Sequence, residues 1–180
     1  MERRFGATIE WLPFDLHPEY PPQGISTAEL DRRYGGRVWR DRIYAMFDAA
    51  GLPYSREIIH VPNSRRAQQL IELARDRGRH EALHHRVMDA YWHRARDIGD
   101  PAVLREEAAA AGLDAGEVAD VLAGEQYLDR LEAQTRALHE MGGGGVPAWV
   151  IDDRVLVPGA QPHDVFERAI ERLRGEDADG

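Results

Sequence analysis

The sequence predicts an α/β fold in which a long helical segment interrupts a small set of strands. Three observations predict this class. Residues 7–12 alternate apolar and polar side chains, helix-start signals recur between Ser26 and Met141, and residues 142–180 hold two short apolar runs followed by an amphipathic stretch. We therefore expect a strand, then many helices, then two strands and a closing helix.

The first expected element is a strand at about Ala7 to Leu12, within "ATIEWLPFDL". Its alternation suits a half-buried strand, and Thr8, Ile9 and Trp11 belong to the β-branched and aromatic residues that strands favour. The next residues, "HPEYPPQG", are dense in Pro and Gly. They predict a loop.

The middle of the chain predicts helix after helix. Ser26 and Glu29 have capping-box spacing, and Asn63 can cap a segment with apolar residues at helical intervals. Asp100 followed by Pro101 predicts a capped helix start, and Asp114 with Glu117 three residues later predicts another. No repeat of fixed period is present, so we expect unlike helices and no solenoid.

The C-terminal segment changes character. The run Gly142–Gly145 lacks the Lys and Ser/Thr of a phosphate-binding loop, and we interpret it as a flexible connector. It leads into a predicted hairpin with strands at Ala148–Ile151 and Arg154–Val157, joined by an Asp-Asp turn. An amphipathic helix is predicted to start at Pro162.

Composition excludes several classes of function. No apolar run approaches the roughly 18 residues of a membrane span. The formal charge is −9, and the 23 basic residues, all Arg, are spread among 32 acidic ones, which argues against nucleic acid as a partner. The chain has no Cys. It therefore cannot form a disulfide, a thiolate nucleophile or a thiolate metal site.

His80-Glu81-x-x-His84 has the spacing of a zinc-peptidase motif. A working site needs a third ligand. The extended motif would have Gly and His where this sequence has Val87 and Ala90, and Glu106 or Glu107 could serve only from a following helix. Leu83, Val87, Ala90 and Tyr91 also form an apolar stripe on the same helix. We expect helix histidines here and no metal.

The remaining candidate site is Gly145-Val146-Pro147, directly before a strand. A Pro at a strand entrance removes a ladder hydrogen bond, so its position needs a structural reason. A cis Val146–Pro147 bond would supply one, because it turns the backbone and presents the Val146 amide and carbonyl to whatever lies opposite.

Four segments carry a resemblance to a known family: "WLPFDLHP", "NSRRAQQLIELAR", "DIGDPAVLREEAAAAGLD" and "GGGGVPAWVIDDRVLVPGAQPHDVFERAI". The chain resembles the DsbA-like thioredoxin-fold proteins, specifically the FrnE-type dithiol oxidoreductases, which are related to 2-hydroxychromene-2-carboxylate isomerases. The resemblance implies a thioredoxin-like domain formed by residues 1–25 and 142–180, with residues 26–141 as an inserted helical subdomain. It also implies that Pro147 is the family's cis-proline, in a loop that holds a peptide or small-molecule substrate.

The family's first strand and its Cys-Pro-x-Cys, at the start of the first helix, have no counterpart here. "MERRFG" corresponds to the last turn of that helix. We therefore expect the reading frame to continue upstream into a thiol–disulfide oxidoreductase. The alternatives are a glutathione-dependent isomerase or transferase relative, or a non-catalytic peptide-binding module. The N-terminal residues "MERRFGATIEW" lack the apolar region of a secretory signal, and we expect a cytoplasmic protein without a cofactor.

Overall fold

The computed structural model describes residues 2–178. Within them, helices predominate and the strands are short. The elements, in chain order, are α1 (Glu2–Phe5), β1 (Ile25–Ser26), α2 (Thr27–Arg33), α3 (Val38–Ala50), β2 (His60–Val61), α4 (Arg65–Asp76), α5 (His80–Trp92), α6 (Pro101–Ala110), α7 (Ala115–Ala123), α8 (Leu128–Glu140), β3 (Ala148–Ile151), β4 (Val155–Pro158) and α9 (His163–Ala178).

The chain forms two compact units. One comprises the residues up to Leu16 together with those from Arg130 onward, and the other is His17–Asp129. None of the described helices is both long and apolar enough to cross a membrane.

The helical unit His17–Asp129 has a core of aliphatic side chains from α4 to α7. Leu70, Leu83, Leu104 and Ala108 are completely buried there. The predicted starts of α2, α6 and α7 are confirmed. The Ser26 hydroxyl accepts from the Glu29 amide at 3.1 Å, Asp100 caps α6, and Asp114 caps α7. These caps form because a short polar side chain satisfies amides that the first turn leaves free.

The side chain that caps the start of α4 belongs to Asn63, one residue before Ser64, which precedes the helix directly. Asn63 Oδ1 accepts from the Arg65 amide at 3.1 Å, and its Nδ2 donates to the Tyr20 carbonyl at 2.9 Å. Asn63 therefore anchors α4 to the loop before β1, in addition to the predicted capping role.

Two short strands inside this unit were not predicted. β1 pairs antiparallel with β2, with Ile25 opposite Val61 and Ser26 opposite His60. Gly24 permits this pairing, because its φ is +72° and a Cβ there would lie 2.3 Å from the Val61 carbonyl oxygen. The pairing joins residues far apart in sequence, so no local pattern indicates it.

The other unit contains the predicted hairpin and the closing helix. β3 pairs antiparallel with β4, from Ala148 opposite Pro158 to Ile151 opposite Val155. Asp152 and Asp153 have φ of 49° and 52°, the left-handed pair of a type I′ turn, which Asp tolerates better than most residues. β4 begins one residue later than predicted, because the Arg154 amide closes the turn onto the Ile151 carbonyl.

The prediction of a strand at Ala7 to Leu12 was wrong. No strand is assigned there, and among the described residues β3 and β4 pair only with each other. Alternation can create an amphipathic segment, but a strand also needs a partner backbone. Ile9, Trp11 and Leu12 remain 40%, 51% and 54% exposed. The segment is held instead through side chains, with the Trp11 and Trp149 ring centroids 6.1 Å apart.

Candidate functional site

The candidate site lies between the end of α8 and the start of β3. The Gly142 amide donates to the His139 carbonyl and the Gly143 amide to the Leu138 carbonyl, both at 2.9 Å. Gly142 has φ +88°, the left-handed conformation that ends many helices. A Cβ on Gly143 would lie 2.7 Å from the Leu138 side chain. The first half of the predicted connector is therefore a closely packed helix end.

The second half of the run leads to the predicted Gly145-Val146-Pro147 segment, here called the 145–147 loop. The Val146–Pro147 bond is cis. The Gly159 amide donates to the Pro147 carbonyl at 2.7 Å, extending the β3–β4 hairpin by one contact. The loop is thus fixed at one end by the hairpin, while Cβ atoms built on Gly144 and Gly145 meet nothing within 4 Å.

Val146 presents its side chain and its backbone to the outside. It is 52% exposed. In the part of the chain that the structure describes, no backbone hydrogen bond engages its amide or its carbonyl. The backbone carbonyl and amide groups of an extended polypeptide could pair with this free amide and carbonyl at the entrance of the strand. The loop contains no titratable side chain, so it can bind but cannot transfer a proton or attack a substrate.

Trp149 lies two residues after the loop, on β3. Its ring contacts Phe166 of α9, with centroids 5.2 Å apart, and Trp11, which is half exposed. The Trp149 indole nitrogen is buried and has no hydrogen-bond partner among residues 2–178. The sequence placed Trp149 in the predicted strand Ala148–Ile151 and did not indicate a role for it in a site. Its position two residues after Pro147 gave no signal of the contact with Trp11.

The zinc-motif histidines lie on α5, where the sequence predicted a helix. The His80 and His84 rings stack with centroids 5.7 Å apart, and the Arg75 guanidinium lies 3.0 Å from His80 Nε2. Burial lowers the pKa of His84, and so do the positive charges that His80, His85 and Arg75 can carry. A neighbouring guanidinium repels a metal cation. Within residues 2–178, no three His, Cys, Asp or Glu side chains are arranged to hold a metal ion.

The two carboxylates considered as a third zinc ligand are occupied by arginines. Glu107 is completely buried and pairs with Arg86, Arg94 and Arg96 at 3.0, 2.8 and 3.1 Å. Glu106 pairs with Arg96 at 2.6 Å. These contacts tie α5, the 93–97 segment and α6 together, so both carboxylates have a structural use.

Comparison with known proteins supports the thioredoxin-type interpretation. The family model of the DSBA-like thioredoxin domain matches residues 1–171. The chain is 29% identical over 164 residues to the uncharacterized protein YwbO of Bacillus subtilis (strain 168), a match that covers 90% of this chain and 80% of that protein.

Solved structures agree with the family match. The crystal structure of the probable DsbA oxidoreductase SCO1869 from Streptomyces coelicolor superposes with a TM-score of 0.78 at 34% identity, over 91% of this chain and 74% of that one. A 2-hydroxychromene-2-carboxylate isomerase superposes with a TM-score of 0.72 at 21% identity, over 99% and 87%, and shares the fold. The chain therefore belongs to the DSBA-like thioredoxin domain family.

Proposed function

We propose that this chain supplies the polypeptide-binding part of a thiol–disulfide oxidoreductase of the DsbA type, close to the FrnE group, and that the 145–147 loop contacts the substrate. The observation that carries the proposal is the exposed Val146, whose amide and carbonyl have no backbone partner among the described residues. The 34% identity to the Streptomyces coelicolor protein supports the reaction class.

Binding at this loop would resemble the addition of a strand. An extended polypeptide would exchange hydrogen bonds with the Val146 amide and carbonyl, while its side chains alternate toward and away from the exposed Val146 side chain. Main-chain hydrogen bonds are the same for every sequence. Such a site therefore suits a protein that acts on many unfolded substrates.

The thiol step requires groups that these 180 residues do not contain. Disulfide exchange proceeds by attack of a thiolate on a disulfide sulfur, and the chain has no Cys. Within the proposal, the 180 residues hold the substrate, and a dithiol outside them carries out the exchange. We propose that this binding and exchange take place in the cytoplasm.

The absence of Cys also favours a second candidate. A relative of the glutathione-dependent isomerases, in which Ser replaces the first Cys, would need no thiol of its own. A non-catalytic peptide-binding module would need none either. In both of these cases the complete protein would neither reduce nor form disulfides, unlike an oxidoreductase.

Peptide binding can be tested with two matched probes. The first is a fluorescein-labelled unfolded peptide without Cys, and the second is the same peptide with its central amide N-methylated. We expect the methylated peptide to bind about fivefold more weakly, because one backbone hydrogen bond is lost. The substitution Val146→Glu should weaken binding of the first probe, while Ile59→Glu, at a 77% exposed residue of the helical unit, should not.

Equal binding of the two peptides would show that backbone pairing is absent. Loss of binding in Ile59→Glu but not in Val146→Glu would move the site away from the 145–147 loop. Either result would overturn the proposal.

A further inference from the structure

The segment from Arg32 to Arg42, "RRYGGRVWRDR", is locally basic in an acidic protein. It holds five Arg and one Asp, whereas the whole chain has a formal charge of −9. It spans the end of α2, a Gly-Gly turn and the first five residues of α3. The net charge of the whole chain does not indicate this cluster of basic residues.

Two of the five arginines form ion pairs with carboxylates of the helical unit. Arg33 pairs with Glu19 and Glu29 at 3.2 and 3.1 Å. Arg40 pairs with Asp31, whose other oxygen accepts from the Trp39 indole at 2.9 Å. These contacts fix the backbone of the Arg32–Arg42 segment, which carries the other three arginines.

Arg32, Arg37 and Arg42 are exposed, and among residues 2–178 no carboxylate forms an ion pair with them. Many other arginines of this acidic protein do have such a partner, including Arg77, Arg86, Arg94, Arg96 and Arg154. Three unpaired guanidinium groups within eleven residues form a local positive surface.

Exposed apolar side chains lie among these arginines. Tyr34 is 53% exposed and Val38 is 61% exposed. The Tyr34 ring contacts Trp39, with centroids 6.2 Å apart, so the residue that follows α2 packs against the first turn of α3. Here it is called the arginine patch and consists of Arg32, Tyr34, Arg37, Val38 and Arg42.

We propose that the arginine patch binds a short polypeptide segment in which acidic residues are interspersed with apolar ones. Arg favours carboxylates because its planar fork offers two parallel donors. Tyr34 and Val38 give the apolar side chains of such a segment a place to pack. A long polyanion such as nucleic acid would also meet the −9 charge of the protein, whereas a short segment meets only the patch.

The probe is a short fluorescein-labelled peptide in which Glu and Leu alternate, measured by fluorescence anisotropy on the full chain. A Gln–Leu peptide and a single-stranded DNA oligonucleotide serve as comparisons. The triple variant Arg32→Gln, Arg37→Gln, Arg42→Gln should bind the Glu–Leu peptide about tenfold more weakly, since each exposed ion pair contributes modestly. Raising NaCl from about 50 to about 500 mM should weaken binding by the wild type more than by the variant.

A matched control is Arg105→Gln, at an exposed arginine on α6 outside the patch, which should bind as the wild type does. The triple Arg→Lys variant should retain part of the affinity and the salt dependence. Equal binding of the Glu–Leu and Gln–Leu peptides, or an unchanged affinity in the triple Gln variant, would overturn the proposal. Tighter binding of the oligonucleotide than of the Glu–Leu peptide would show that the patch recognises nucleic acid instead.

Discussion

The buried carboxylate of Glu107 lies 2.8 Å from the guanidinium of Arg94, and the two join α6 to the segment that follows α5. Arg86 and Arg96 contact the same carboxylate from either side along the chain. Between Arg94 and Arg96, Ala95 has φ 50°, in the left-handed region that residues other than Gly seldom occupy. Ala95 thus lies between two arginines that contact one buried carboxylate, and the Arg96 amide donates to the Ala90 carbonyl of α5 at 2.8 Å, as at a helix end with a left-handed residue.

Removing the Glu107 carboxylate should therefore destabilise the helical unit. We expect Glu107→Gln to lower the free energy of unfolding by about 3 kcal/mol, because three arginines lose a buried partner while keeping some access to water. Denaturant unfolding measures the change. Glu106→Gln, at a side chain that is 61% exposed, should cost less than about 1 kcal/mol. Equal losses in the two variants would show that burial of the ion pair contributes nothing.

The stability of the chain should depend on the protonation of His84. Burial and neighbouring positive charges hold its pKa in the folded state below the ordinary value of 6.5. The unfolded state therefore binds the proton more readily, and the contribution of His84 to stability, complete above pH 6.5, is lost as the pH falls towards its folded pKa. Unfolding free energies at pH 7.5 and pH 5 should differ less in His84→Gln than in the wild type.

His163→Gln, at an exposed residue at the start of α9, is the control for this measurement and should keep the wild-type difference. If His84→Gln kept the same pH dependence as the wild type, another group would be responsible.

Gly24→Ala should disrupt the pairing of β1 with β2. A Cβ at residue 24 would lie 2.3 Å from the Val61 carbonyl oxygen and 2.8 Å from His60 Nε2, at a φ of +72°. Strain and steric overlap together should cost about 2–4 kcal/mol in the free energy of unfolding. Gly35→Ala has the same φ but open space around its Cβ, so it isolates the strain, which should cost about 1 kcal/mol. A similar loss in both variants would show that the contact with Val61 is not limiting.

The features that depend on contacts between residues close in sequence were predicted, and those that depend on residues far apart in sequence were not. Ser26, Asp100 and Asp114 could be assigned as caps because each bonds to an amide two or three residues away. The hairpin could be predicted for the same reason, since its turn joins adjacent strands. Long-range contacts gave no such signal, and the pairing of β1 with β2 and the arginines around Glu107 were therefore not predicted.

The geometry around the candidate site was predicted in part. Pro147 at a strand entrance led to the hypothesis of a cis Val146–Pro147 bond, and that bond is cis in the structure, while the binding role of the 145–147 loop stays a prediction. The apolar alternation of residues 7–12 was interpreted as a strand, but hydrophobic pattern alone cannot supply a partner backbone. The contact of Trp11 with Trp149 depends on the tertiary structure, and the sequence positions of the two residues do not indicate it.

The 180-residue chain should show no insulin reduction and no disulfide formation, since it lacks any residue that can become a thiolate. The turbidity assay for insulin reduction, with dithiothreitol as reductant, checks this against a buffer blank. A rate above the blank that persists after repurification would contradict the division between substrate binding and thiol exchange. If an upstream extension of the reading frame carries Cys-x-x-Cys, the extended protein should be active, whereas an extension carrying Ser should leave the assay at the blank.

The most direct test of the central claim is an NMR measurement at Val146. With the uniformly ¹⁵N-labelled chain and the unlabelled unfolded peptide, we expect the Val146 amide to shift downfield on titration, as a newly formed hydrogen bond requires, and to show cross-relaxation to peptide backbone protons. Its hydrogen exchange should slow in the complex. A saturating peptide complex in which the Val146 amide neither shifts nor gains protection would contradict the assignment of the 145–147 loop as the polypeptide-binding site.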